Sequence, residues 1–291
     1  MPELPEVATI VHTLKFGAVN NDQQPCAPSV TGFTLASGQV LWARTLALPA
    51  PEEFAARIRG QQIVDIDRRG KYIVVRLTAD TLLFHLRMSG DLRVESAQDE
   101  NGDPIPWKKH DRLALTFRGG WRLVFNDPRK FGRAWLVEDP QVVLGSLGPE
   151  PLDSALGVDE FHQKLVYHRR QLKPLLLDQS FIAGLGNIYT DEALHLAHLH
   201  PLRISSTLTR LEAGRLLESI RSVLQEGIRR NGASIDWVYR GGDFQNAFRV
   251  YSRTGQPCLQ CGTIIERILV GQRATHFCIV CQPLSRPTPQ V

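Results

Sequence analysis

The stretch LKPLLLDQSFIAGLGNIYTDEAL (residues 172–194) predicts two helices joined by a tight turn that contains two glycines. Apolar residues recur at helical spacing on both sides of FIAGLGN (181–187), and the glycines favour a sharp change of chain direction. The periodicity extends outward, so that residues 159–230 predict four helices, at 161–170, 172–179, 187–199 and 207–230. A Gly- and Pro-rich stretch at 144–157 precedes this region and indicates a domain boundary.

The N-terminal half has the pattern of a β-rich domain. Residues 3–16 predict a helix, because their apolar residues recur at helical spacing. The polar segment 17–32 predicts a loop. Between residues 33 and 138 the apolar runs are short and often alternate, with turn residues between them. This pattern predicts a mostly antiparallel sandwich or barrel.

Four of the five cysteines form two C-x-x-C pairs near the C-terminus, with sixteen residues between the pairs. This spacing is typical of a zinc site, and four thiolates leave no open position for water, so one structural Zn2+ is expected. His276 is an alternative ligand, although four sulfurs suffice. The predicted ligands are Cys258, Cys261, Cys278 and Cys281.

The segment between the two cysteine pairs predicts a small hairpin, with Arg273 near its turn. The module is too small to hold a hydrophobic core, so metal binding is expected to supply its folding energy. From the turn, Arg273 could reach a phosphate or a groove of a nucleic acid.

Length and composition limit the class of protein. The 291 residues exceed the usual size of a single core, so two domains are expected. No apolar run approaches the roughly 20 residues that span a bilayer. The N-terminus lacks the regions of a signal peptide. With only Cys26 outside the paired cysteines, a disulfide framework is not indicated, and a cytoplasmic protein without membrane association is expected.

The basic residues are clustered. The formal net charge is only +4, which by itself is weak support for a nucleic-acid partner. Any one cluster could be a solvated face, but five clusters, several beside aromatic residues, favour a surface that follows phosphates. The clusters lie at 67–72, 107–112, 127–133, 167–173 and 228–231.

The N-terminus, MPELPE, offers a reactive amine. Removal of Met1 would leave Pro2 as a secondary amine, which can attack an aldehyde-like sugar carbon to give an iminium. Glu3 would lie beside this amine as a general acid or base. The alternative is that Pro2 and Glu3 only begin a helix, where such residues are common.

Nine stretches of the chain, in order, carry a resemblance to a known family. They are MPELPEV, RGKY, HLRMSG, KHDR, DPRKFG, LGPEPL, residues 172–194, VYSRTGQPC and the paired cysteines. Through them the chain resembles the formamidopyrimidine-DNA glycosylase (Fpg, MutM) family of base-excision repair along nearly its whole length. In the related endonuclease VIII branch the chain usually begins MPEGPE, so Leu4 and DPRKFG favour the Fpg branch.

The resemblance implies a role for individual residues. Pro2 is similar to the family's nucleophile and Glu3 to the acid that opens the deoxyribose ring, with Glu6 in support. Lys71 resembles the family's catalytic lysine, which lies in the catalytic pocket and contacts the phosphate near the lesion. An extruded base leaves a hole in the stack, which an apolar wedge and an arginine can fill. The residues implied for that gap are Met88, Arg129 and Phe131, and those implied for other DNA contacts are His110, Lys173, Asn187 and Arg273.

The resemblance also implies a fold and an activity. The expected class is α+β, with an N-terminal β-sandwich domain flanked by helices (1–145), a helical domain with a helix–two-turn–helix (146–249), a zinc ribbon (250–282) and a disordered tail (283–291). The implied activity is excision of oxidised purines from double-stranded DNA, followed by β,δ-elimination, by a monomer. The alternatives are an endonuclease VIII-like glycosylase for oxidised pyrimidines and a non-catalytic damaged-DNA-binding protein.

The sequence departs from the family pattern in three places. Residues 17–30 form an insertion that carries Cys26, and Ala8 replaces a common glutamate. The loop that ends in WVYRGGDFQNAF (237–248), with Asp243 before Phe244, is shorter than usual. In the family this loop closes over 8-oxoguanine, so the shortening predicts a preference for formamidopyrimidines or a wider lesion set.

Overall fold

The computed structural model describes residues 2–19, 25–234 and 241–284. The chain divides into two compact units. The first is built mainly from Glu6–Gly145, and the second from Ser146–Ala233 and the residues from Gly241 onward. The short segment Glu3–Pro5 belongs to the second unit, while Pro2 belongs to the first.

The first unit is a two-sheet sandwich flanked by helices. Its helices are α1 (Leu4–Phe16), α2 (Pro51–Ile58) and α3 (Gln141–Leu144). Its strands are β1 (Ala18–Val19), β2 (Pro25–Ala27), β3 (Leu35–Val40), β4 (Leu46–Leu48), β5 (Ile63–Arg69), β6 (Tyr72–Leu77), β7 (Thr81–His85), β8 (Asp91–Ser96), β9 (Asp111–Phe117), β10 (Trp121–Asn126) and β11 (Arg133–Val137).

The two large sheets share one hydrophobic core. A four-stranded antiparallel sheet has the order β3-β9-β10-β8, and a five-stranded sheet has the order β4-β11-β7-β6-β5, in which only the β4–β11 pair is parallel. Phe84 of the larger sheet meets Phe125 of the smaller sheet edge to face, with ring centroids 5.5 Å apart. The prediction of a mostly antiparallel sandwich is thereby confirmed.

Two short elements differ from the prediction. Segment 17–32, predicted as a loop, contains the antiparallel pair β1–β2. Strands of two and three residues are too short to show the alternation that identifies a strand. Helix α2 was not predicted either, although Pro51 at its start and the buried pair Phe54 and Ile58, four residues apart, are helical signals.

The second unit contains the predicted helices. They are α4 (Val158–His168), α5 (Leu172–Leu176), α6 (Asn187–Leu196) and α7 (Arg210–Arg229). Helix α7 begins at a capping box, in which Thr209 and Glu212 satisfy each other's backbone N–H groups. Strands β12 (Glu266–Val270) and β13 (Arg273–Phe277) form the predicted hairpin, with Val270 opposite Arg273. No described helix combines the length and apolar character needed to cross a membrane.

Two predictions fall partly outside the described residues. The tail prediction concerns 283–291, of which 285–291 lie outside, and the shortened loop includes 235–240, which also lie outside. The described end of that loop is ordered by aromatic contacts. Phe244 is buried and stacks on Tyr189 of α6, with ring centroids 4.9 Å apart. Asp243 accepts a hydrogen bond from Arg230 at 2.8 Å.

Candidate functional site

The N-terminus of helix α6 holds the carboxylate of Glu3. The amide of Gly186 donates to Oε2 at 2.7 Å, and the amide of Ile188 donates to Oε1 at 2.9 Å. The Glu3 side chain is buried. The first N–H groups of a helix lack intrahelical partners and carry partial positive charge, so they favour an anion. The Glu3 carboxylate therefore supplies the anion at the start of this helix.

The two glycines of the turn before α6 make room for the N-terminal segment. Gly184 has a φ of +93°, and a Cβ there would lie 2.5 Å from Cδ1 of Leu4. A Cβ on Gly186 would lie 2.5 Å from Oε1 of Glu3. The amide of Leu4 also donates to the carbonyl of Gly184 at 3.1 Å. In the structure a side chain of the same protein therefore occupies the first N–H groups of α6.

The predicted DNA contact Lys173 has a different position from the one expected. Its side chain is fully buried, and Nζ donates to Oδ1 of Asp191 and, at 3.3 Å, to the carbonyl of Asn187. Burial lowers the pKa of Lys173, and the Asp191 carboxylate opposes that shift. An ammonium with no exposed surface cannot touch a phosphate in this conformation. In the described structure Lys173 thus forms an internal ion pair with Asp191, and its direct contact with DNA stays a prediction.

Asp191 and Asn187 also connect α6 to the hairpin that carries Arg273. The amide of His276 donates to Oδ2 of Asp191 at 3.0 Å, and Nδ1 of His276 lies 3.2 Å from the same oxygen. Nδ2 of Asn187 donates to the carbonyl of Ala274 at 3.0 Å. The second unit thus brings Glu3, Lys173 and Asn187 together at the start of α6, beside strand β13, whose first residue is the exposed Arg273.

Glu192 is a structural residue that the sequence analysis missed. Its buried carboxylate accepts the amides of Arg249, Val250 and Tyr251 at 2.8–2.9 Å. Burial raises the pKa of Glu192, and these three N–H groups oppose the shift. Two consecutive acidic residues in the middle of a predicted helix were the available signal. The contact ties the chain that enters the zinc module to α6.

The four paired cysteines form a zinc site. Their Sγ atoms all lie within 4.8 Å of one another, with Cys258 3.9 Å from Cys281 and Cys261 3.4 Å from Cys278. A tetrahedral zinc with bonds of about 2.3 Å places its sulfurs roughly 3.8 Å apart, so the arrangement fits this ion. The cluster consists of the four cysteines without His276, whose Nδ1 lies 3.2 Å from Oδ2 of Asp191. The zinc is structural, as predicted, since four sulfurs fill its coordination sphere.

In the first unit, Lys71 lies at the turn between β5 and β6. Its side chain is buried, and Gly70 before it has a φ of +55°. His85 accepts a hydrogen bond at Nδ1 from the amide of Arg87 at 3.0 Å. Burial, together with the charges of Arg87 and Lys71, lowers the pKa of His85 to about 3. The imidazole next to Lys71 is therefore neutral at physiological pH.

Three predicted gap-filling residues are exposed in the first unit. Met88 is 37% exposed and Phe131 is 54% exposed, unlike the apolar side chains of the sandwich core. Nη2 of Arg129 donates to the carbonyl of Met88 at 2.7 Å, which joins the two loops that carry these residues. Exposed large apolar residues beside a cation are available for contact with a partner.

Asp127 organises the loop that carries Arg129 and Phe131, and the sequence analysis did not identify it. Its buried carboxylate accepts the hydroxyl of Ser89, the amide of Arg129 at 3.2 Å and the amide of Gly132 at 2.7 Å. The amide of Asp127 donates to the carbonyl of the predicted DNA contact His110 at 2.8 Å. The loop conformation is thus fixed from within the protein.

Pro2 and Glu6 are both buried in the first unit, and Glu6 is 2% exposed. Removal of Met1, which precedes Pro2 in the sequence, would make the proline nitrogen a free secondary amine. Pro2 is joined directly to Glu3, whose carboxylate is held by α6. The acid is therefore fixed one residue away from the candidate nucleophile.

Comparison with known proteins agrees with these features. The model of the formamidopyrimidine-DNA glycosylase N-terminal domain matches residues 1–134, that of the H2TH domain of the same enzymes matches 147–238, and that of a zinc finger found in FPG and IleRS matches 255–284. A formamidopyrimidine-DNA glycosylase of Protochlamydia amoebophila is 40% identical and one of Chloroflexus aurantiacus 42% identical. Each alignment covers 97% of this chain and at least 98% of the relative.

Solved structures give the same result. The Lactococcus lactis FPG (MutM) in complex with DNA containing FAPY-dG has a TM-score of 0.83 and 35% identity. A MutM in complex with DNA containing carbocyclic 8-oxo-G has a TM-score of 0.84 and 35% identity. Both alignments cover 97% of this chain and all of the other chain. The fold and the zinc site define a DNA-repair glycosylase with a zinc finger.

The chain belongs to the formamidopyrimidine-DNA glycosylase family. The predicted family, the α+β class and the structural zinc are therefore confirmed.

Proposed function

We propose that this protein excises oxidised purines, formamidopyrimidines and 8-oxoguanine, from double-stranded DNA and then cleaves the strand as an AP lyase. The observation that carries the proposal is the buried Glu3 carboxylate, held by the N–H groups of α6 one residue from Pro2. Fixed acids beside a nucleophile are what covalent catalysis requires. The DNA complexes of similar proteins support a damaged-DNA substrate.

The reaction begins with the amine of Pro2, formed after removal of Met1. Glu3 accepts a proton from this amine, and the nitrogen lone pair then attacks C1′ of the damaged nucleotide. The bond from C1′ to the base breaks, and its electron pair leaves with the base, which takes up the proton that the Pro2 nitrogen loses once it is bonded to C1′. Glu3 returns its proton to O4′ as the sugar ring opens, which leaves an iminium that joins Pro2 to C1′.

The iminium then allows strand cleavage. It withdraws electrons from C2′, so that loss of a C2′ proton expels the 3′ phosphate, and a second elimination expels the 5′ phosphate. Hydrolysis of the remaining iminium returns the free amine. No step requires an oxidant, and the zinc contributes to folding and to DNA binding through its hairpin.

The remaining predicted residues are proposed to bind and open the DNA. Met88 and Phe131 are exposed apolar wedges for the gap left by a flipped base, with Arg129 facing the orphaned partner. Lys71, His110, Asn187 and Arg273 are proposed as the residues that contact or approach phosphates. Lys173 is proposed instead as a positioning residue, because its ion pair with Asp191 organises the start of α6.

The organisation proposed for this function is a monomer that acts in the cytoplasm, with the predicted domains 1–145, 146–249 and 250–282. The shortened loop before Phe244 supports a substrate range that is not dominated by 8-oxoguanine. The enzyme would either prefer formamidopyrimidines or accept a wider set of lesions. We expect less 8-oxoguanine excision than formamidopyrimidine excision on matched duplexes.

Single-lesion duplexes test the substrate class. Duplexes that carry a formamidopyrimidine, 8-oxoguanine or an oxidised pyrimidine are incubated with the enzyme, and the ends of the cleaved strands are analysed. The proposal expects excision of the oxidised purines and phosphates on both sides of the gap. Preferential excision of the pyrimidine would indicate endonuclease VIII-like specificity, and binding without excision would indicate a non-catalytic protein.

A further inference from the structure

Lys130, between Arg129 and Phe131, has an unusual backbone conformation. Its φ is +61°, in the left-handed region that residues with a Cβ seldom occupy. Its ammonium lies 3.8 Å from the centroid of the Trp42 ring, which is the geometry of a cation–π contact. A left-handed residue persists where its surroundings hold it, and the contact between the Lys130 ammonium and Trp42 adds to the hydrogen bonds of Asp127 that hold this turn.

Trp42 is itself anchored to the same loop. Its amide donates to the carbonyl of Arg112 at 3.0 Å, and Nε of Arg112 donates to the carbonyl of Asp127 at 2.8 Å. The amide of Lys130 donates to that same carbonyl at 3.4 Å. These contacts close a circuit from Trp42 through Arg112 and Asp127 to Lys130, and from its ammonium back to the Trp42 ring.

The circuit has a direct consequence for the residues on either side of Lys130. Its backbone angle determines the directions in which the side chains of Arg129 and Phe131 leave the loop. The other end of the loop is closed at Gly132, where a Cβ would lie 3.0 Å from Cε1 of Phe125. The Asp127 carboxylate holds the amides of Arg129 and Gly132, and the contact with Trp42 holds the side chain of Lys130 between them.

We propose that Trp42 is a positioning residue which, through Lys130, sets the orientation of Arg129 and Phe131 and thereby the enzyme's discrimination of the base opposite the lesion. The inference rests on the proposed function, because it assumes that Arg129 and Phe131 enter the gap in the duplex. Trp42 has no proposed contact with the sugar that Pro2 attacks. Its loss is expected to affect steps that require an inserted loop and to spare strand cleavage at a site that has already lost its base.

Four variants test the pair: Trp42→Leu, which removes the aromatic face, Trp42→Phe, which keeps one, Lys130→Met, and the double variant Trp42→Leu/Lys130→Met. Single-turnover excision is measured on duplexes with the preferred oxidised purine opposite dC and opposite dA. Strand cleavage is measured in parallel on duplexes with a preformed abasic site. Cation–π contacts of this kind correspond to rate changes of about 3- to 10-fold.

The expected result is a loss of about 3- to 10-fold in excision opposite dC for Trp42→Leu, with a reduced ratio of rates opposite dC and dA. Abasic-site cleavage stays within about two-fold of wild type, Trp42→Phe recovers part of the loss, and the double variant loses no more than either single variant.

Three results would overturn the inference. One is wild-type excision and discrimination in Trp42→Leu. Another is an equal loss of excision and abasic-site cleavage, which would assign Trp42 to folding alone. The third is that Trp42→Leu behaves like wild type, while Lys130→Met weakens DNA binding and lowers the salt dependence of that binding. This result would make Lys130 a phosphate ligand. A wild-type enzyme that excises no lesion would instead refute the proposed function.

Discussion

The amide of Gly186 lies 2.7 Å from a carboxylate oxygen of Glu3, a hydrogen bond between residues 183 positions apart in the sequence. Through this bond the start of helix α6 binds the acidic side chain of the residue that follows Pro2. The arrangement depends on the absence of a side chain at position 186, because a Cβ there would meet the Glu3 carboxylate. The glycine-rich turn therefore serves the N-terminus of the protein as well as the change of chain direction.

Gly186→Ala should displace the Glu3 carboxylate and slow the chemistry. Loss of a positioned general acid corresponds to a rate decrease on the order of 100-fold. The measurement is single-turnover cleavage of abasic DNA. Gly157→Ala is a matched control, since Gly157 also precedes a helix and a Cβ there meets no atom within 4 Å. Wild-type cleavage by Gly186→Ala would show that the Glu3 position is unimportant.

Lys173→Met should destabilise the protein without changing the salt dependence of DNA binding. Removing one partner of a buried ion pair leaves an unpaired charge, at a cost of about 3–5 kcal/mol in unfolding free energy. Arg229→Met, which removes an exposed partner of Glu226, should cost less than about 1 kcal/mol. Denaturant unfolding and DNA titrations at several salt concentrations provide the test. If Lys173→Met were as stable as wild type and the salt slope of its DNA affinity were reduced by about one, Lys173 would instead be a phosphate contact.

His85 should make the protein sensitive to acid. Its pKa is about 3 in the folded protein because of burial and the charges of Arg87 and Lys71, and about 6.5 when unfolded. The unfolded chain therefore binds the extra proton, and stability falls as the pH drops from about 6.5 towards 3, by up to about 1.4 kcal/mol per unit.

His85→Gln should flatten this acid-side slope, because Gln does not titrate. Unfolding free energies are measured between pH 7 and pH 4 for wild type, His85→Gln and the exposed-site control His12→Gln. An equal slope in wild type and His85→Gln would contradict a buried neutral imidazole at this position.

Zinc removal should unfold the hairpin and weaken DNA binding. Metal binding supplies the folding energy of small zinc modules, so a chelator should abolish amide-exchange protection in β12 and β13. Cys258→Ser should have the same effect, whereas Cys26→Ser should retain one zinc per chain, because Cys26 is outside the four-sulfur cluster. Hydrogen exchange measures the protection of the hairpin, and metal analysis measures the zinc content of each variant. Full hairpin protection after chelation would be incompatible with a structural zinc.

The features that could be predicted from the sequence are those set by local spacing. Helices α4 to α7 follow from apolar periodicity. The zinc site follows from the number of residues between the pairs Cys258–Cys261 and Cys278–Cys281. The sandwich follows from alternating apolar runs, although the order of its strands does not. In each case residues near one another in the chain carry the signal.

The features that could not be predicted depend on contacts between distant residues. Glu3 and Gly186 are 183 positions apart in the sequence, and no local pattern links them. Lys173 belongs to a basic cluster in the sequence, yet its partner Asp191 removes it from the surface. The support of Lys130 by Trp42 likewise joins two segments whose local patterns are unrelated.

The most direct test of the central claim is borohydride reduction of the enzyme on abasic DNA, followed by mass spectrometry of the linked peptide. The account predicts a covalent complex in which the sugar is attached to the nitrogen of Pro2 in a chain that lacks Met1, and a lower yield of this complex with Pro2→Gly. A complex attached to another residue, or no complex from an enzyme with a free Pro2, would contradict the account.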